Sequence, residues 1–473
     1  MNLVHAYHRM PFWMRCVAAT ARGIYLQRWR YGDHTDRLVE DALERETWSP
    51  ERWNSWQQEQ LAYVLHRAAT RVPYYRDLWS RRRAAGYAGS WEILKNWPLL
   101  QKEDLRLHAC ALVADDVNQA RMFHEHSSGS TGTPLNLWQS RKALQLWYAL
   151  FEARWRKWYG LSRRNRWAIL GGQLVTPVSQ KRPPFWVWNA AMRQLYMSSY
   201  HLSPANIPHY IDAIKRYRIE YIWGYSSSLY TFAQGLLDRY SNIEMQVAIT
   251  NAEPLLDYQR DVIAAAFRCS VKETYGMSEM VAAASECEFG TLHLWPEIGY
   301  IELQSEDDNS HGEVTGEMIC TGLCNPDMPL IRYRIGDRAT FPVNSSACAC
   351  RRTLPVLLRI EGRSDDMLFS ANRVAIGRLD PVFKGGFLIR EAQIIQESLD
   401  SIRLLYVPAT GFTKEQLCAL IQEIRARLGD VRVETECVAA IPRGPNNKFR
   451  AVICKLPAEQ RHSLMHIRTY SDA

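Results

Sequence analysis

Apolar positions recur at three- and four-residue spacing through Trp56, Leu61, Val64, Leu65 and Ala68, which predicts helix over 50–85 with an interruption at Pro73. The basic stretch Arg81 to Arg83 that follows is expected on a solvated turn. From Trp91 to about Arg121, short apolar runs alternate with charged segments. Between 140 and 290, helical spacing at Lys142 to Trp158 and Tyr258 to Phe267 alternates with short β-like runs at Trp167 to Leu170, Tyr221 to Trp223 and Val247 to Thr250. That alternation predicts an α/β architecture. From 291 to 363 the pattern turns strand-rich, with Tyr300 to Leu303, Glu317 to Thr321 and Leu357 to Ile360 divided by Gly, Pro and Asn. Beyond Asp366 a smaller α+β pattern follows: a strand at Ile402 to Val407, a helix at Lys414 to Leu428, and strands at Val431 to Cys437 and Ala451 to Lys455. No internal repeat or low-complexity tract interrupts it.

Composition narrows the class. With 473 residues, 47% apolar and 23% charged, the chain is long enough for several domains and too apolar for global disorder. A net charge of +8 over that length argues against a dedicated nucleic-acid binder. No apolar run approaches the ~18 residues needed to span a bilayer, and the N-terminal segment lacks the long apolar core of a secretory signal. Phe12, Trp13, Met14, Ile24, Tyr25 and Leu26 mixed with Arg15, Arg22, Arg28 and Arg30 fit either packing against the chain's own large domain or weak contact with a membrane surface. Eleven cysteines, an odd number scattered over the chain, point to a reducing, cytoplasmic setting.

The densest chemistry lies at Ser127-Ser128-Gly129-Ser130-Thr131-Gly132-Thr133-Pro134. Its two glycines allow backbone amides to turn toward an anion, and its hydroxyls are donors to phosphate oxygens. The lysine of a Walker A loop is missing, which disfavours a P-loop NTPase; an ordinary polar turn is the alternative reading.

Taken in order, that loop, Glu273-Thr-Tyr-Gly-Met-Ser-Glu279, Arg332-Tyr-Arg-Ile-Gly-Asp337, Glu361-Gly-Arg-Ser-Asp-Asp-Met367 and Asn447-Lys-Phe-Arg450 resemble the adenylate-forming enzyme superfamily. The resemblance is closest to its phenylacetate-CoA ligase and capsular polysaccharide CapK branch, and it extends over residues 60 to 455. It implies a large domain of stacked α/β sheets with a small β-rich subdomain, followed by a smaller mobile α+β domain. The expected divisions are an N-terminal helical segment at 1–60, an ATP- and acid-binding domain at 61–363, a hinge at 364–366 and a small C-terminal domain at 367–473.

The resemblance also implies roles. The loop residues Ser127, Ser128, Gly129, Ser130, Thr131, Gly132 and Thr133 grip the ATP phosphates, with Thr131 among the catalytic groups. Tyr275, Gly276, Met277 and Ser278 line the nucleotide, and Glu279 holds Mg²⁺, a hard cation that prefers oxygen ligands. Glu253 sits near the adenine, Asp337 and Arg363 meet the ribose, and Lys448 bridges the carboxylate and the α-phosphate. Asp365 is the hinge. A second set, Cys287, His293, Cys348 and Cys350, resembles the CxCGRT stretch of phenylacetate-CoA ligase relatives, and three thiolates with one imidazole suit a structural Zn²⁺. Cys320 and Cys324 are expected to be ordinary small residues in a strand and a turn. Walls for the acid are expected from Gly171-Gly172, Trp186, Trp188 and Trp223-Gly224-Tyr225.

The implied activity is an AMP-forming ligase that activates a carboxylic acid with ATP and Mg²⁺ and passes the acyl group to coenzyme A, an amine, a hydroxyl or a carrier-protein thiol. Two departures motivate a competing reading, a catalytically reduced nucleotide-binding scaffold in polysaccharide or natural-product biosynthesis. Asn447 stands where a glycine is usual, and Leu368 to Arg373 contains no glycine.

Overall fold

Ser49 accepts a hydrogen bond from the Arg52 amide (3.3 Å) and caps the helix Pro50–Arg71. Pro73 does not merely interrupt this helix: it occupies the first turn of a second one, Pro73–Ala84, where its missing amide costs nothing. Arg81 to Arg83 form the last turn of that helix, not a solvated turn, and the Arg82 guanidinium lies 3.8 Å from the centre of the Tyr87 ring. The computed structural model describes residues 3–126, 135–305, 312–343, 348–363, 368–370, 375–376, 387–444, 449–457, 459–461 and 464, with backbone only at 3–5, 126, 305, 363, 375–376, 426 and 427.

The α/β alternation builds a nine-stranded sheet in the order 356–357, 292–294, 283–286, 270–276, 247–251, 221–225, 167–171, 194–198 and 186–189. The five strands from 270–276 to 194–198 run parallel. Helices such as Ile207–Tyr217, Ser226–Leu237 and Asp257–Phe267 cover this sheet, and the strand Trp167–Gly171 at its middle is accordingly a fully buried, near-continuous apolar run. The chain steps from 167–171 outward to 194–198, then returns to 221–225 on the other side, which opens a crevice at the carboxyl ends of these strands. The outer strand Trp186–Asn189 is antiparallel and is covered by the helix Phe12–Arg30, with Gly23 lying directly on Asn189.

Helical spacing continues from Lys142 to Trp158, yet the α-helix ends at Phe151 and passes into a π-helical turn, Glu152–Arg156. The widened turn carries two buried arginines. Arg154 makes a bidentate pair with Glu297 (2.8 and 2.9 Å), and Arg156 pairs with Glu152 (2.9 Å) and the Tyr221 hydroxyl (2.9 Å). Between them Trp155 packs against Phe151, Trp223 and Trp295.

A four-stranded antiparallel sheet follows, 299–305, 313–322, 333–342 and 359–363. The run Leu357 to Ile360 is divided: Val356–Leu357 completes the large sheet and Arg359–Arg363 joins the small one. The C-terminal sheet, ordered 432–437, 401–408, 389–398 and 452–454, packs on the helix Lys414–Leu428. Leu420, Ile424 and Leu428 of that helix are fully buried against Ile394, Ile402 and Leu404, and each such side chain is worth about 1.5–3 kcal/mol of burial. Among the described residues no helix is long and apolar enough to cross a membrane.

Candidate functional site

Three parallel strands end on the motif residues. Strand Ser270–Gly276 delivers Tyr275 and Gly276 and continues into Met277, Ser278 and Glu279; strand Val247–Asn251 delivers Glu253; strand Tyr221–Tyr225 delivers Tyr225. The Tyr275 hydroxyl donates to Asp337 Oδ2 at 2.6 Å, joining the large sheet to the four-stranded one. Asp337 lies opposite Arg363 in the register of 333–342 with 359–363. The two residues expected at the ribose are therefore cross-strand neighbours, and Tyr275, expected to line the nucleotide, is anchored to one of them. The Arg363 side chain lies outside the described residues.

The expected phosphate loop, Ser127, Ser128, Gly129, Ser130, Thr131, Gly132 and Thr133, also lies outside them, as do Asp365 and Lys448. The strands flanking the loop are described. Phe123–His126 pairs with Asn136–Gln139 in an antiparallel register that sets His126 against Asn136. Gln139, buried, donates from Nε2 to the Ser278 carbonyl at 2.9 Å, so the chain leaving the loop is tied to the segment that carries Glu279. The Tyr333 hydroxyl lies 3.5 Å from Glu279 Oε1. Glu125, just before the loop, is pushed above the usual carboxylate range mainly by burial, with Arg30 opposing the shift and Glu279 adding to it.

Glu253 is buried and both its oxygens are engaged. Oε2 accepts from the Ser227 amide (3.0 Å) at the start of helix Ser226–Leu237, and Oε1 accepts from the Phe449 amide (2.6 Å). Phe449 belongs to the C-terminal domain and directly follows Lys448 in the chain. Its ring faces the Arg443 guanidinium at 4.8 Å, and Arg443 pairs with Glu391. Burial pushes the Glu253 carboxyl up, against the opposing pull of its hydrogen bonds to Ser227 and Phe449.

Behind the strand ends, a methyl group at Gly276 would lie 3.4 Å from Trp147 Cη2, and Trp147 in turn packs on Trp295. Trp223 joins the same aromatic cluster. Trp186 and Trp188 do not converge there. They sit on the outer strand, where Trp186 packs against Tyr210 and Trp188 stacks on Tyr217, because an antiparallel edge strand points its alternate side chains at the covering helices. Gln139 and Trp147 carry no sequence signal, and Tyr333 and Phe449 lie inside quoted motifs without an expected role, since each acts through a partner far away along the chain.

Cys287, His293, Cys348 and Cys350 come together with all ligand atoms within 4.8 Å of one another. Cys287 and Cys348 sulfurs are 3.8 Å apart, and Cys350 Sγ is 3.3 Å from His293 Nε2. A tetrahedron with metal–sulfur bonds of ~2.3 Å and metal–nitrogen bonds of ~2.0–2.1 Å has edges of about 3.8 and 3.5 Å. His293 Nδ1 faces the Leu354 carbonyl at 3.1 Å, an arrangement that points the Nε2 lone pair at the cluster. Burial also lowers the histidine's pKa, favouring the neutral ligand form. Cys320 and Cys324 are buried elsewhere, in strand 313–322 and just after it. Around the four donors, Arg352 pairs with Glu46 (3.0 Å), whose other oxygen accepts from Trp158 Nε1 (2.8 Å) and meets Arg154 (3.4 Å). The cluster is thus linked through paired charges to the π-helical turn.

Residues 368–455 match the family model of the CapK C-terminal domain. Protein CapK of Staphylococcus aureus is 27% identical over 398 residues, covering 80% of this chain and 84% of that protein. These matches support the CapK and phenylacetate-CoA ligase-like branch of the adenylate-forming superfamily as the family of this chain. Another relative in this branch, the phenylacetate-coenzyme A ligase of Thermus thermophilus, is 27% identical over 347 residues, covering 69% of this chain and 73% of the relative. Among solved structures, 2-hydroxyisobutyryl-CoA ligase in its postadenylation state has the same fold, with a TM-score of 0.65 at 20% identity over 90% of this chain and 94% of that one. The same ligase in its thioesterification state gives a TM-score of 0.51 at 19% identity over the same shares of the two chains.

Proposed function

We propose that the protein is an AMP-forming acyl ligase that uses ATP and Mg²⁺ to activate a carboxylic acid and transfers the acyl group to a thiol, amine or hydroxyl. The observation that carries this reading is the hydrogen bond from Tyr275, at the carboxyl end of a parallel strand, to Asp337 of the four-stranded sheet; Glu253 follows the neighbouring parallel strand, and the C-terminal domain docks on it through Phe449. In this reading Asp337, held by Tyr275, accepts from the ribose hydroxyls, and the hydroxyls of Ser127 to Thr133 hold the phosphates. Glu279 supplies a carboxylate to Mg²⁺, and Lys448 reaches the carboxylate and α-phosphate as they join. A carboxylate oxygen attacks the α-phosphorus, and pyrophosphate leaves with the bonding pair. The acceptor then attacks the acyl carbon, AMP departs, and the acceptor's proton is released to solvent.

Support for the first half-reaction comes from the shared fold with a ligase solved as a complex with an acyl-AMP. Relatives named as coenzyme A ligases favour a thiol acceptor. We also assign Zn²⁺ to Cys287, His293, Cys348 and Cys350 as a closed structural site, its four positions all filled by protein donors. Hydroxylamine trapping tests the activity: incubation with ATP, Mg²⁺ and a mixture of small carboxylic acids is expected to yield a hydroxamate together with AMP. ATP that binds tightly with neither product formed, whatever acid is supplied, favours the nucleotide-binding scaffold instead.

A further inference from the structure

The helix Phe12–Arg30 is packed inside out. Its inward face is small or polar: Gly23 rests on Asn189, buried Arg15 donates to Thr176 Oγ1 (2.6 Å), and Gln27 donates to the Ala191 carbonyl (2.5 Å). The exception is Leu26, buried against Phe123 and Leu144 with Trp29 half-buried beside it. Its outward face is apolar, with Trp13 66%, Val17 61% and Ile24 45% exposed at helical spacing, and Met14 and Tyr25 beside them. This stripe extends along about 16 Å of helix. A surface helix of a globular protein ordinarily turns its apolar stripe to the core, so packing within the chain does not account for the arrangement.

A second exposed apolar pair adjoins its N-terminal end. Leu174 and Val178 are 46% and 55% exposed on the loop 172–184, which the N-terminal helices hold through Tyr7 to the Val175 carbonyl, His8 beside the Leu174 carbonyl, and Arg15 to Thr176 and Gln180. The charge on both segments has one sign. Residues 1–32 contain five arginines and no Asp or Glu, and residues 153–211 contain no Asp or Glu. Arg9, Arg22, Arg28, Lys181 and Arg182 are exposed.

We propose that this face, the outward side of Phe12–Arg30 with Leu174 and Val178, docks the protein on a bilayer that carries anionic headgroups. Trp13, Val17, Ile24, Leu174 and Val178 enter the headgroup boundary, and the flanking arginines and lysine meet lipid phosphates. Charge decides against a second copy of the chain, because a self-paired face would bring these cations together while neither segment offers a carboxylate of its own. A nucleic acid would leave the apolar stripe unused. The helix also packs on Phe123, through Tyr25 and Trp29, in the strand that leads into the Ser127–Pro134 segment. Docking therefore sets one edge of the candidate site beside the lipid surface.

Vesicle co-sedimentation of the full chain, without ATP or acid, tests this independently of the acyl-ligase reading. Vesicles of phosphatidylcholine with phosphatidylglycerol are expected to pellet the protein, and phosphatidylcholine alone is not. Partition falls with added salt, and the pair Arg22→Gln and Arg28→Gln lowers it about fivefold for each arginine. The pair Trp13→Ser and Val17→Ser abolishes it while leaving the melting temperature unchanged, because both side chains already face solvent. Wild type that stays in the supernatant with anionic vesicles overturns the proposal. So does retention of binding by both double variants, or a dimer in solution that Trp13→Ser and Val17→Ser convert to monomer.

Discussion

Tyr275 and Asp337 are separated by 62 residues, and each belongs to a motif whose residue types alone suggest nucleotide chemistry. Their hydrogen bond was not legible, because sequence order says which motifs exist but not which side chains touch once two sheets pack. The same holds for Gln139 with Ser278 and Glu253 with Phe449, 139 and 196 residues apart. The bond constrains the carboxylate proposed to meet the ribose, so its loss is expected to weaken nucleotide binding without unfolding the chain. A hydrogen bond to a charged group is worth about 1.5–3 kcal/mol. Tyr275→Phe should therefore raise the dissociation constant for ATP at least about tenfold by calorimetry, with little change in melting temperature. Equal affinity in wild type and variant would remove Tyr275 from the positioning of Asp337.

Secondary elements were readable where one period dominated. The helix Lys414–Leu428 coincides with its apolar spacing, and Thr413 caps it by accepting from the Gln416 amide. The strands Trp186–Asn189 and Gln194–Ser198 escaped notice because they are short and separated by only four residues. The π-helical turn Glu152–Arg156 escaped because its periodicity differs from an α-helix by too little to show in five residues. The four metal-type donors were recognisable as residue types, yet only the fold brings the 287–293 and 348–350 segments together. If zinc closes them, metal analysis of the purified chain should find one zinc per molecule, and Cys350→Ala should lose it together with on the order of 3 kcal/mol of stability. Full stability after complete metal removal would show that the cluster does not need an ion.

The sequence changes pattern near Asp366, but the contact between Glu253 and Phe449 is not legible in it. Glu253 anchors that contact, reinforced at longer range by Arg390 and Asp238 at 3.8 Å. Its folded-state pKa is raised above 4.5 by burial, so the folded chain holds the proton more tightly than the unfolded chain does. Its contribution to stability is greatest below the ordinary carboxylate range and falls as pH rises through the raised value. Denaturant titrations from about pH 4 to 8 should thus show the stability difference between wild type and Glu253→Gln shrinking with rising pH, then levelling. A difference that grows with pH would reverse the sign assigned to burial.

Acid-dependent exchange of labelled pyrophosphate into ATP reports acyl-adenylate formation whatever the acceptor, and so bears most directly on the proposed activity. With a broad panel of carboxylic acids, at least one is expected to stimulate exchange, and Glu279→Gln and Lys448→Ala should each reduce it by a factor on the order of 100. Exchange absent across the whole panel, or undiminished in both variants, would contradict the account.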